Sequence, residues 1–411
     1  MNGYGTIIVG GGASGLFCAA ALKGGKDVLV LERGERAGRK LSATGNGQGN
    51  VSNLHMSADH YFHQSGDSRG VLSRGLALHG REDMLAFLEG LGGLFVADGR
   101  GRVYPTGRQA SSVTDLLRFR LAEKGVRIAA GMRVRSLRRE ADGFVAEAEG
   151  AAGAECFFAR RVVLCTGGSA AKNFGTDGSA YALATAFGHT LTPLYPSLVQ
   201  LKTEREAIRG LKGIRAEARL SAFAGRGREK RKLAEERGDL IFTDYGVSGD
   251  AVFRLSAFLT DRLGKEEISL SAEFLPDVSP ERLLRALRRK RAAFPSLADG
   301  ELAGGIVNNA LGRAIARRSD GTPEGQAARI KDFPLAVTGS LGFDGAQVTK
   351  GGIPLDEADE NLQSRLAPGL YFAGEILDVD GECGGYNLQW AYSSARLVAD
   401  GIDGISGRQE R

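Results

Sequence analysis

A glycine-rich turn near the start of the chain constrains its fold more than any other stretch. Residues 6–9 form a short β-branched run that is typical of a buried parallel strand. The segment GGGASG follows and places Gly10, Gly12 and Gly15 in GxGxxG register. LFCAAALKGG then predicts a helix closed by glycine, and DVLVLE predicts a second buried strand that ends in Glu32. Strand, turn, helix and acidic residue together predict a dinucleotide-binding βαβ unit.

Each part of this unit has a physical task. Gly10 makes the tight turn, Gly12 lets backbone amides approach a pyrophosphate, and Gly15 lets the helix pack on the strand. The helix N-terminus faces the phosphates, and Glu32 accepts hydrogen bonds from ribose hydroxyls. Because an acidic residue suits an unphosphorylated ribose, the unit favours FAD or NAD over NADP.

The sequence after the second strand favours FAD over NAD. A plain NAD-binding domain would continue with alternating helices and strands, whereas RGERAGRKLSATGNGQGNVSN is a long loop without helical or strand periodicity. Its glycines and asparagines suit a backbone wrapped around a flat ring with polar edges. Residues 132–158 then predict a three-stranded meander, near RVRSL, GFVAEAE and AECFFA, before a separate buried strand at residues 161–168. The two glycines that end this strand suit close approach of the backbone to a cofactor.

The end of the chain is predicted to return to the same site. GLYFAGEILD predicts another buried strand, which ends in Gly374 and Glu375, and a helix is predicted from Gly384 and Gly385 onward. Such a helix directs free N–H groups at a flavin pyrimidine ring, and its dipole stabilises negative charge there. The two glycines are therefore predicted to make room for the ring. Tyr386 is predicted to border the flavin, with core packing as the alternative.

Several motifs along the chain resemble one family of flavoproteins. They are VGGGASGL, GRKLSATGNGQGNVSN, GRVYPTGRQASSV, VLCTGG, FTDYGVSGDAV, VTKGGI and GLYFAGEILDVDGECGGYNLQWAYSSA. Together they resemble the BaiN/RdsA-type FAD-dependent oxidoreductases, a group that includes proteins described as bile-acid reductases and as aminoacetone oxidases. The resemblance implies an α/β fold, in which a glutathione-reductase-type FAD-binding Rossmann domain carries an inserted β-rich plus helical substrate domain.

The resemblance also implies a set of cofactor-binding residues. Many relatives have a basic residue and a cysteine before the asparagine of the flavin loop, where this chain has Gln48 and Gly49, so no role of that charge or thiol transfers. Arg133 and Val134 in the meander are also predicted to contact the cofactor. The full predicted set further contains Gly10, Gly12, Ala13, Ser14, Gly15, Glu32, Arg33, Arg39, Lys40, Gly45, Asn46, Gly47, Asn50, Thr166, Gly167, Gly374, Glu375, Gly385, Tyr386 and Asn387.

The chain is long enough for two domains, because a single hydrophobic core stops growing well below 411 residues. We expect a discontinuous FAD-binding domain at residues 1–195 and 336–411, and an inserted substrate domain at residues 196–335. Within the insertion, SLVQLKT and EARLSAFAG alternate like half-buried strands, and GRGREKRKLAEERGDLIFTDYGVSG is predicted to be a charged turn. SPERLLRALRRKRAAF predicts a helix with Ser279 as its cap and Leu283, Leu284, Leu287 and Phe294 on one face.

Composition and charge indicate which kinds of partner and which cellular compartment to expect. The formal net charge is +5, but the basic segments GRGREKRK and RRKRAAF lack interleaved aromatic residues, so solvated faces are favoured over a nucleic-acid contact. No apolar run is long enough to span a bilayer, and the four cysteines show no CxxC spacing and follow no secretory segment. We therefore predict a cytoplasmic protein with a small-molecule substrate. The sequence does not define its oligomeric state.

No pattern identifies a catalytic acid or base, and the histidines lack the HxxxH and HExxH arrangements of a metal site. His55 and His60 are close enough to the flavin loop to be candidates for acid–base chemistry. Cys383 lies beside the predicted helix start, where a thiolate is favoured, but it has no partner cysteine, so a packing role is preferred. Cys165 is predicted to be inert because it lies in a buried strand.

Three functions stay open. The leading hypothesis is reduction of an activated C=C bond in a small apolar or steroid-like substrate, with NAD(P)H as a transient donor that reduces the flavin. A disulfide reductase is excluded, because the chain has one complete dinucleotide fingerprint and no CxxxxC pair. The alternatives are a flavin amine oxidase or dehydrogenase of the aminoacetone-oxidase type, and an RNA-associated flavoprotein.

Overall fold

The first part of the chain alternates strands and helices, as the predicted dinucleotide-binding unit requires. The computed structural model describes residues 2–65 and 69–409. Up to the insertion the elements are β1 (Asn2–Val9), α1 (Ala13–Ala21), β2 (Val28–Glu32), α2 (Arg39–Ser42), β3 (Ser52–Asn53), β4 (Tyr61–Phe62), α3 (Arg69–Leu78), α4 (Arg81–Gly90), β5 (Phe95–Ala97), β6 (Arg102–Pro105), α5 (Ala110–Glu123), β7 (Arg127–Ala130), β8 (Arg133–Glu140), β9 (Gly143–Gly150), β10 (Gly153–Leu164) and α6 (Tyr181–Thr185).

The central sheet is parallel in its middle and antiparallel at one side. β1 lies between β2 and β10, and β7 extends the parallel set beyond β2. β9 and β8 follow β10 as an antiparallel pair. Ile7, Ile8, Leu29 and Val30 are completely buried, as expected for the middle strands of a parallel sheet. The carboxyl ends of β1, β2 and β10 therefore meet at one edge, where the glycine-rich turn follows β1.

The meander and the strand after it are one element rather than two. The sequence predicted a third meander strand near AECFFA and a separate strand at residues 161–168, but β10 runs without a break through both. Its first half pairs with β9, from Gly153 to Ala159, and its second half pairs in parallel with a strand that returns from the C-terminal part of the chain. Along one edge, this single long strand pairs first with β9 and then with the returning strand. The change of partner explains why the local pattern resembled two short strands.

The chain divides into two compact units, and the second is inserted in the first. One unit comprises the residues up to Tyr195 and from Val348 onward, and the other is Pro196–Gln347. From the junction onward the elements are β11 (Tyr195–Ser197), β12 (Leu201–Thr203), β13 (Arg215–Ala224), β14 (Arg231–Phe242), β15 (Gly246–Ser248), α7 (Asp250–Ser256), β16 (Ile268–Phe274), α8 (Pro280–Ala293), α9 (Asp299–Leu302), α10 (Asn309–Arg317), α11 (Pro323–Lys331), β17 (Phe333–Ser340) and α12 (Gly342–Gly345).

The inserted unit is built on a closed antiparallel barrel, in the order β12–β15–β14–β13–β16–β17. Alternate residues of β16 are buried, as a period of two residues requires. Phe242, Phe274 and Phe333 meet inside it with edge-on rings, 5.8 Å apart for the pair Phe274 and Phe333. This core is separate from that of the sheet unit.

The second domain boundary lies later than the sequence predicted. β17 pairs with both β16 and β12 and closes the barrel, so residues 336–347 lie in the inserted unit and not in the FAD-binding one. The charged stretch predicted as a turn is also different, because its middle, Arg231–Phe242, forms β14. Its exposed side chains make cross-strand contacts, among them the ion pair of Arg237 with Glu217 at 2.9 Å. The charged residues of this stretch therefore lie on the outer face of a barrel strand and not in a turn.

The predicted amphipathic helix is present as α8. Ser279 caps it by accepting a hydrogen bond from the Arg282 N–H at 3.2 Å, and Leu283 and Leu287 are buried. The assignment of Phe294 to the apolar face is wrong. This residue ends the helix and its side chain is 58% exposed.

The chain returns to the sheet unit with β18 (Val348–Lys350), β19 (Leu370–Phe372), β20 (Asp380–Gly381) and the long helix α13 (Tyr386–Gln409). β19 pairs in parallel with β10, and the ring of Tyr392 in α13 meets Phe17 of α1 edge-on at 5.2 Å. Trp390 of α13 is buried. Within residues 2–65 and 69–409, no helix has the length and apolarity needed to cross a membrane.

Candidate functional site

The glycines of the fingerprint have different surroundings. Gly10 has a φ of 104°, and a Cβ there would collide with the Cys165 carbonyl group. A Cβ at Gly15 would collide with the Gly10 carbonyl oxygen, because α1 packs directly on the turn. A Cβ at Gly12 would meet no atom within 4 Å. Gly10 and Gly15 are thus required by the packing of the protein itself, whereas Gly12 borders open space.

The start of α1 offers unpaired donors beside that space. Gly12 is the N-cap of the helix and provides no side-chain cap, so the first N–H groups, from Ala13 onward, have no intrahelical acceptor. Gly374, at the end of β19, lies against this turn, since a Cβ there would be 2.6 Å from the Ser14 hydroxyl oxygen. The first and last parts of the chain therefore meet at the helix start, where the sequence predicted both to contact one cofactor.

Glu32 is held at the turn by two backbone groups. Its Oε2 accepts a hydrogen bond from the Gly11 N–H at 2.7 Å, and its Oε1 accepts one from the Gly34 N–H at 2.6 Å. The carboxylate of β2 is therefore fixed beside the glycine-rich turn, in the position that ribose recognition requires. The Met132 N–H donates a hydrogen bond to the Glu32 carbonyl oxygen, which ties the end of β2 to the residue before β8. Arg133 and Val134 are the first two residues of β8.

Two of the predicted arginines converge on one aspartate that sequence reasoning missed. Arg33 donates to both oxygens of Asp177, at 2.8 and 3.1 Å, and an Arg133 nitrogen lies 3.9 Å from the same carboxylate. The hydrogen bonds from Arg33 lower the pKa of Asp177 well below its usual value. Arg39 instead donates to the Asn173 carbonyl oxygen at 3.0 Å. Only the tertiary structure reveals Asp177, because it lies in an irregular segment without a motif.

The predicted flavin loop is fixed to the end of β19. Lys40 forms an ion pair with Glu375 at 2.7 Å, and the other Glu375 oxygen accepts from the Thr349 N–H at 2.9 Å. The Thr349 hydroxyl in turn accepts from the Ser169 and Ala170 N–H groups, at 2.8 and 3.0 Å. Thr349 was not among the predicted residues, although it lies in the motif VTKGGI. This network joins three remote segments around the carboxyl ends of β10 and β19.

The remaining loop residues divide into two kinds. Gly45, Asn46 and Gly47 have φ values of 58°, 54° and 82°, and a Cβ at Gly47 would meet no atom within 4 Å. Asn50 is different, because its side-chain amide donates to the Ser52 and Val103 carbonyl oxygens, both at 3.0 Å. The Asn50 side chain therefore shapes the loop. Gly47 borders open space, but its backbone is bonded within the protein, since its N–H donates to the Thr44 carbonyl oxygen and its carbonyl oxygen accepts from the Ala110 N–H.

The buried end of β10 carries a polar group without a partner. The hydroxyl of Thr166 is buried and has no hydrogen-bond partner among the described residues. Gly167, which follows, has a φ of 70°. A buried hydroxyl normally has a partner, so an orphaned one beside the fingerprint fits a ligand group at this edge of the sheet.

Gly385, before α13, has a packing constraint that the sequence did not reveal. Gly385 has a φ of 102°, and a Cβ there would be 2.8 Å from the Ser52 Cα and closer still to its carbonyl oxygen. Gly384 has a φ of 127° and lies near Asn53. Gly385 therefore has a packing reason of its own, and the prediction that these glycines make room for a flavin ring stays a prediction. Gly385 lets the helix start close on the backbone of β3.

Asn387 is likewise engaged within the protein. Its side-chain Oδ1 accepts from the Gly381 N–H at 2.8 Å, and its Nδ2 donates to the Gly381 carbonyl oxygen at 2.7 Å. Tyr386 is only 4% exposed, and burial raises the pKa of its hydroxyl to about 12. The Asn387 side chain thus fixes the turn before α13, and the N–H groups of the first helical turn are what this segment can offer to a ligand.

The two histidines proposed for acid–base chemistry have different positions. His60 stacks on Tyr386 with ring centroids 4.6 Å apart, and its Nδ1 lies 3.0 Å from Glu382 Oε2. His55 is exposed and lies against Gly101 instead. Sequence reasoning missed Glu382, although it lies within the long C-terminal motif, in the stretch DGECGG.

The cysteines are predicted to differ sharply in reactivity. Burial raises the pKa of Cys18 far above its usual value and that of Cys165 to about 12, whereas Cys156 is exposed on β10. In native protein at pH 8, we expect a thiol reagent such as DTNB to modify Cys156 rapidly and to leave Cys18 and Cys165 untouched until the protein unfolds. Cys156→Ser should remove the fast phase. Rapid modification of Cys165 in folded protein would contradict the burial described for β10.

Known proteins resemble the whole length of this chain. The family described as HI0933-like protein Rossmann domain matches residues 4–401. A 3-dehydro-bile acid delta(4,6)-reductase of Clostridium scindens is 38% identical, over 97% of this chain and 98% of that protein. A ribosomal RNA dihydrouridine synthase of Escherichia coli is 28% identical, over 98% of each. In structure, a 3-ketosteroid-delta4-(5alpha)-dehydrogenase of Rhodococcus jostii covers 98% of this chain and 97% of its own, at 17% identity and a TM-score of 0.52, which shows a shared fold.

Proposed function

The chain belongs to the HI0933-like Rossmann family and is an FAD-dependent oxidoreductase, and we propose that it reduces an activated C=C bond in a small apolar or steroid-like substrate. The observation that carries this proposal is the reductase that is 38% identical over nearly the full length of both chains. The name of that relative describes a delta(4,6)-reductase of a 3-dehydro bile acid. At an activated C=C bond a carbonyl group withdraws electrons from the alkene, so the far carbon accepts a hydride.

The site residues support FAD as the cofactor. The uncapped start of α1 and the open space at Gly12 suit the pyrophosphate, and Glu32 suits the adenosine ribose. We propose that Lys40 and Glu375 face the middle of the cofactor and that the first turn of α13 faces its flavin pyrimidine edge. Bound FAD supplies the capacity to accept and release a hydride. The protein's own part is to hold, orient and shield the reactants.

The single dinucleotide fingerprint bears on how an electron donor would bind. Because the sequence contains one complete dinucleotide site, we propose that NADH or NADPH docks only transiently at the flavin. The test is anaerobic: protein with bound FAD is mixed with NADH or NADPH, and the visible flavin absorbance should bleach. Addition of 4-androstene-3,17-dione, a steroid with a conjugated double bond, should restore the absorbance without oxygen.

The same experiment distinguishes the amine oxidase alternative. Bleaching by a primary amine such as aminoacetone, with peroxide formed on admission of air, would favour an oxidase and contradict the reductase. A control without FAD in the site must show neither signal. If NADPH bleaches the flavin but the steroid does not restore the absorbance, this steroid is not the acceptor. Other enones are then tested in its place.

The affinity for FAD depends on Glu32 in this proposal. We expect Glu32→Ala to weaken FAD binding by about 10–100-fold, because hydrogen bonds to a charged group contribute roughly 1.5–3 kcal/mol. Fluorescence titration of the apoprotein with FAD measures the change. Glu35→Ala is the matched control, since Glu35 is exposed in the same segment. Equal dissociation constants for the two variants would show that Glu32 does not contact the cofactor.

A row of arginines favours one second candidate, reduction of uridine in RNA. The inserted unit has 26 basic and 21 acidic residues, whereas the rest of the chain has 28 of each. Within α8, Arg282, Arg285 and Arg289 are exposed and share one helix face, and their guanidinium groups form no hydrogen bond or close ion pair in the described part of the chain. Their spacing of about 5–6 Å along the helix suits successive phosphates.

Binding to RNA tests this candidate. If it holds, an rRNA fragment should bind with an affinity that falls steeply with salt, and replacing the three arginines by glutamine should reduce both the affinity and the salt dependence. Lys212→Gln in an exposed ion pair is the control. Equal, weak binding by all variants would leave the steroid-like substrate as the better assignment and these arginines as a solvated face.

A further inference from the structure

The structure pairs a histidine with a carboxylate at the start of α13. His60 precedes β4, Glu382 follows β20, and the two strands pair with each other. His60 Nδ1 lies 3.0 Å from Glu382 Oε2, and the Glu382 N–H donates to the His60 carbonyl oxygen at 2.9 Å. The two residues are thus joined through both side chain and backbone. The backbone bond continues the pairing of the two strands, and the side-chain contact is additional to it.

The pair is fixed against the helix by aromatic contacts. The His60 ring lies on the Tyr386 ring, with an interplanar angle of 28°. The Tyr61 hydroxyl donates to the Tyr386 carbonyl oxygen at 2.9 Å, and its ring meets Tyr386 edge-on. These contacts hold the imidazole at one position relative to the first turn of α13. That turn is the segment proposed to face the flavin.

The geometry leaves one imidazole nitrogen for chemistry. A carboxylate accepts a hydrogen bond, so Glu382 fixes the proton on Nδ1 and leaves Nε2 at the other side of the ring. The His60 side chain is 32% exposed, and its Nε2 makes no hydrogen bond within the described residues. Solvent can therefore return a proton to Nε2. The other ionisable groups around the ring are Tyr61 and Tyr386, and Asp59, which is paired with Arg69.

We propose that His60 is the proton donor of the reaction and that Glu382 and Tyr386 are its positioning residues. This rests on the proposed reduction of an activated C=C bond. The substrate carbon far from the carbonyl group gains a hydride from the reduced cofactor, and the alkene electron pair moves toward the carbonyl group. The neighbouring carbon then takes the Nε2 proton of the charged, doubly protonated His60 ring, which keeps its Nδ1 proton on the Glu382 side, and a solvent proton restores Nε2–H. The alkene is reduced by two electrons that NAD(P)H supplies through the cofactor.

The first test needs no substrate. The reduction potential of bound FAD is measured between about pH 5 and 8, where an imidazole changes charge. His60→Gln should change the pH dependence of the potential, and Glu382→Gln should change it too, because the carboxylate that orients the ring is lost. His55→Gln, an exposed histidine near the same loop, should match the unaltered protein. If all four curves superimpose, His60 does not sense the flavin and the proposal fails.

The second test separates proton donation from a structural role. FAD in the protein is reduced anaerobically with NADPH, and its reoxidation by 4-androstene-3,17-dione is followed by stopped flow. His60→Gln should slow reoxidation by about 100-fold or more, since a general acid contributes roughly 10²–10⁴-fold, and should leave bleaching by NADPH nearly unchanged. Glu35→Ala, at an exposed residue outside this cluster, should be close to the unaltered protein. Equal slowing of both steps by His60→Gln would overturn the proposal.

The two tests also separate this proposal from the proposed function. If the unaltered protein is bleached by NADPH but is not reoxidised by the steroid, the proposed acceptor is wrong and the potential measurement alone decides on His60. If the steroid reoxidises His60→Gln as fast as the unaltered protein, the reductase function stands and the proton comes from another group.

Discussion

Gly12→Val is expected to abolish FAD binding while the protein stays folded. Gly12 has a φ of −77°, which valine accepts, and a Cβ there would meet no protein atom within 4 Å. The side chain would instead occupy the space beside the first N–H groups of α1. Loss of two hydrogen bonds between amides and a charged pyrophosphate, at roughly 1.5–3 kcal/mol each, weakens binding by about 100-fold or more.

The measurement combines an FAD titration with thermal unfolding of the apoprotein. The melting temperature of Gly12→Val should change little, because an N-cap substitution costs about 1 kcal/mol. Gly15→Val is the matched control: its side chain would collide with the Gly10 carbonyl oxygen, so this variant should lose stability as well as cofactor. Full FAD occupancy in Gly12→Val would show that the pyrophosphate lies elsewhere.

Gly385→Ala is expected to destabilise the apoprotein by about 2–5 kcal/mol. A positive φ costs a non-glycine residue roughly 1–2 kcal/mol, and forcing a methyl group into the backbone of β3 costs about 1–3 kcal/mol in addition. The clash is specific, because the new Cβ would be 2.5 Å from the Ser52 carbonyl carbon. Urea unfolding followed by circular dichroism measures the change.

Gly47→Ala separates the two contributions. Gly47 has a φ of 82°, but a Cβ there would meet no atom within 4 Å, so this variant should lose only about 1–2 kcal/mol. If Gly385→Ala and Gly47→Ala lose the same amount of stability, the backbone around Ser52 can move aside at little energetic cost. In that case the close approach of α13 to β3 would not be the reason for the glycine.

The sequence predicts the dinucleotide-binding unit because its signals are local. The turn, the helix and Glu32 lie within one short stretch, and each has a residue type that the geometry requires. The family, the fold class and the oxidoreductase class are confirmed for the same reason, since their motifs are continuous in sequence. The assignment of individual residues to FAD contacts stays a prediction.

The errors of sequence reasoning arise where a residue serves a distant neighbour. Residues 336–347 belong to the barrel because β17 pairs with β12. The packing of Gly385 against the Ser52 backbone was likewise not visible in the local pattern. The charges of β14 resembled a turn because their partners lie on other strands, as Arg237 shows with Glu217. Asp177 and Glu382 carry no periodicity at all. Pairing and charge across the fold are not visible in a single local pattern.

The central claim is that separate segments of the chain converge on one FAD, and the direct measurement is the flavin content and FAD response of the purified protein. The account predicts about one FAD per chain and a higher melting temperature on addition of FAD to apoprotein, since a ligand at 100 times its dissociation constant stabilises the folded state by about 2.7 kcal/mol. A colourless protein whose melting temperature does not respond to FAD would contradict it.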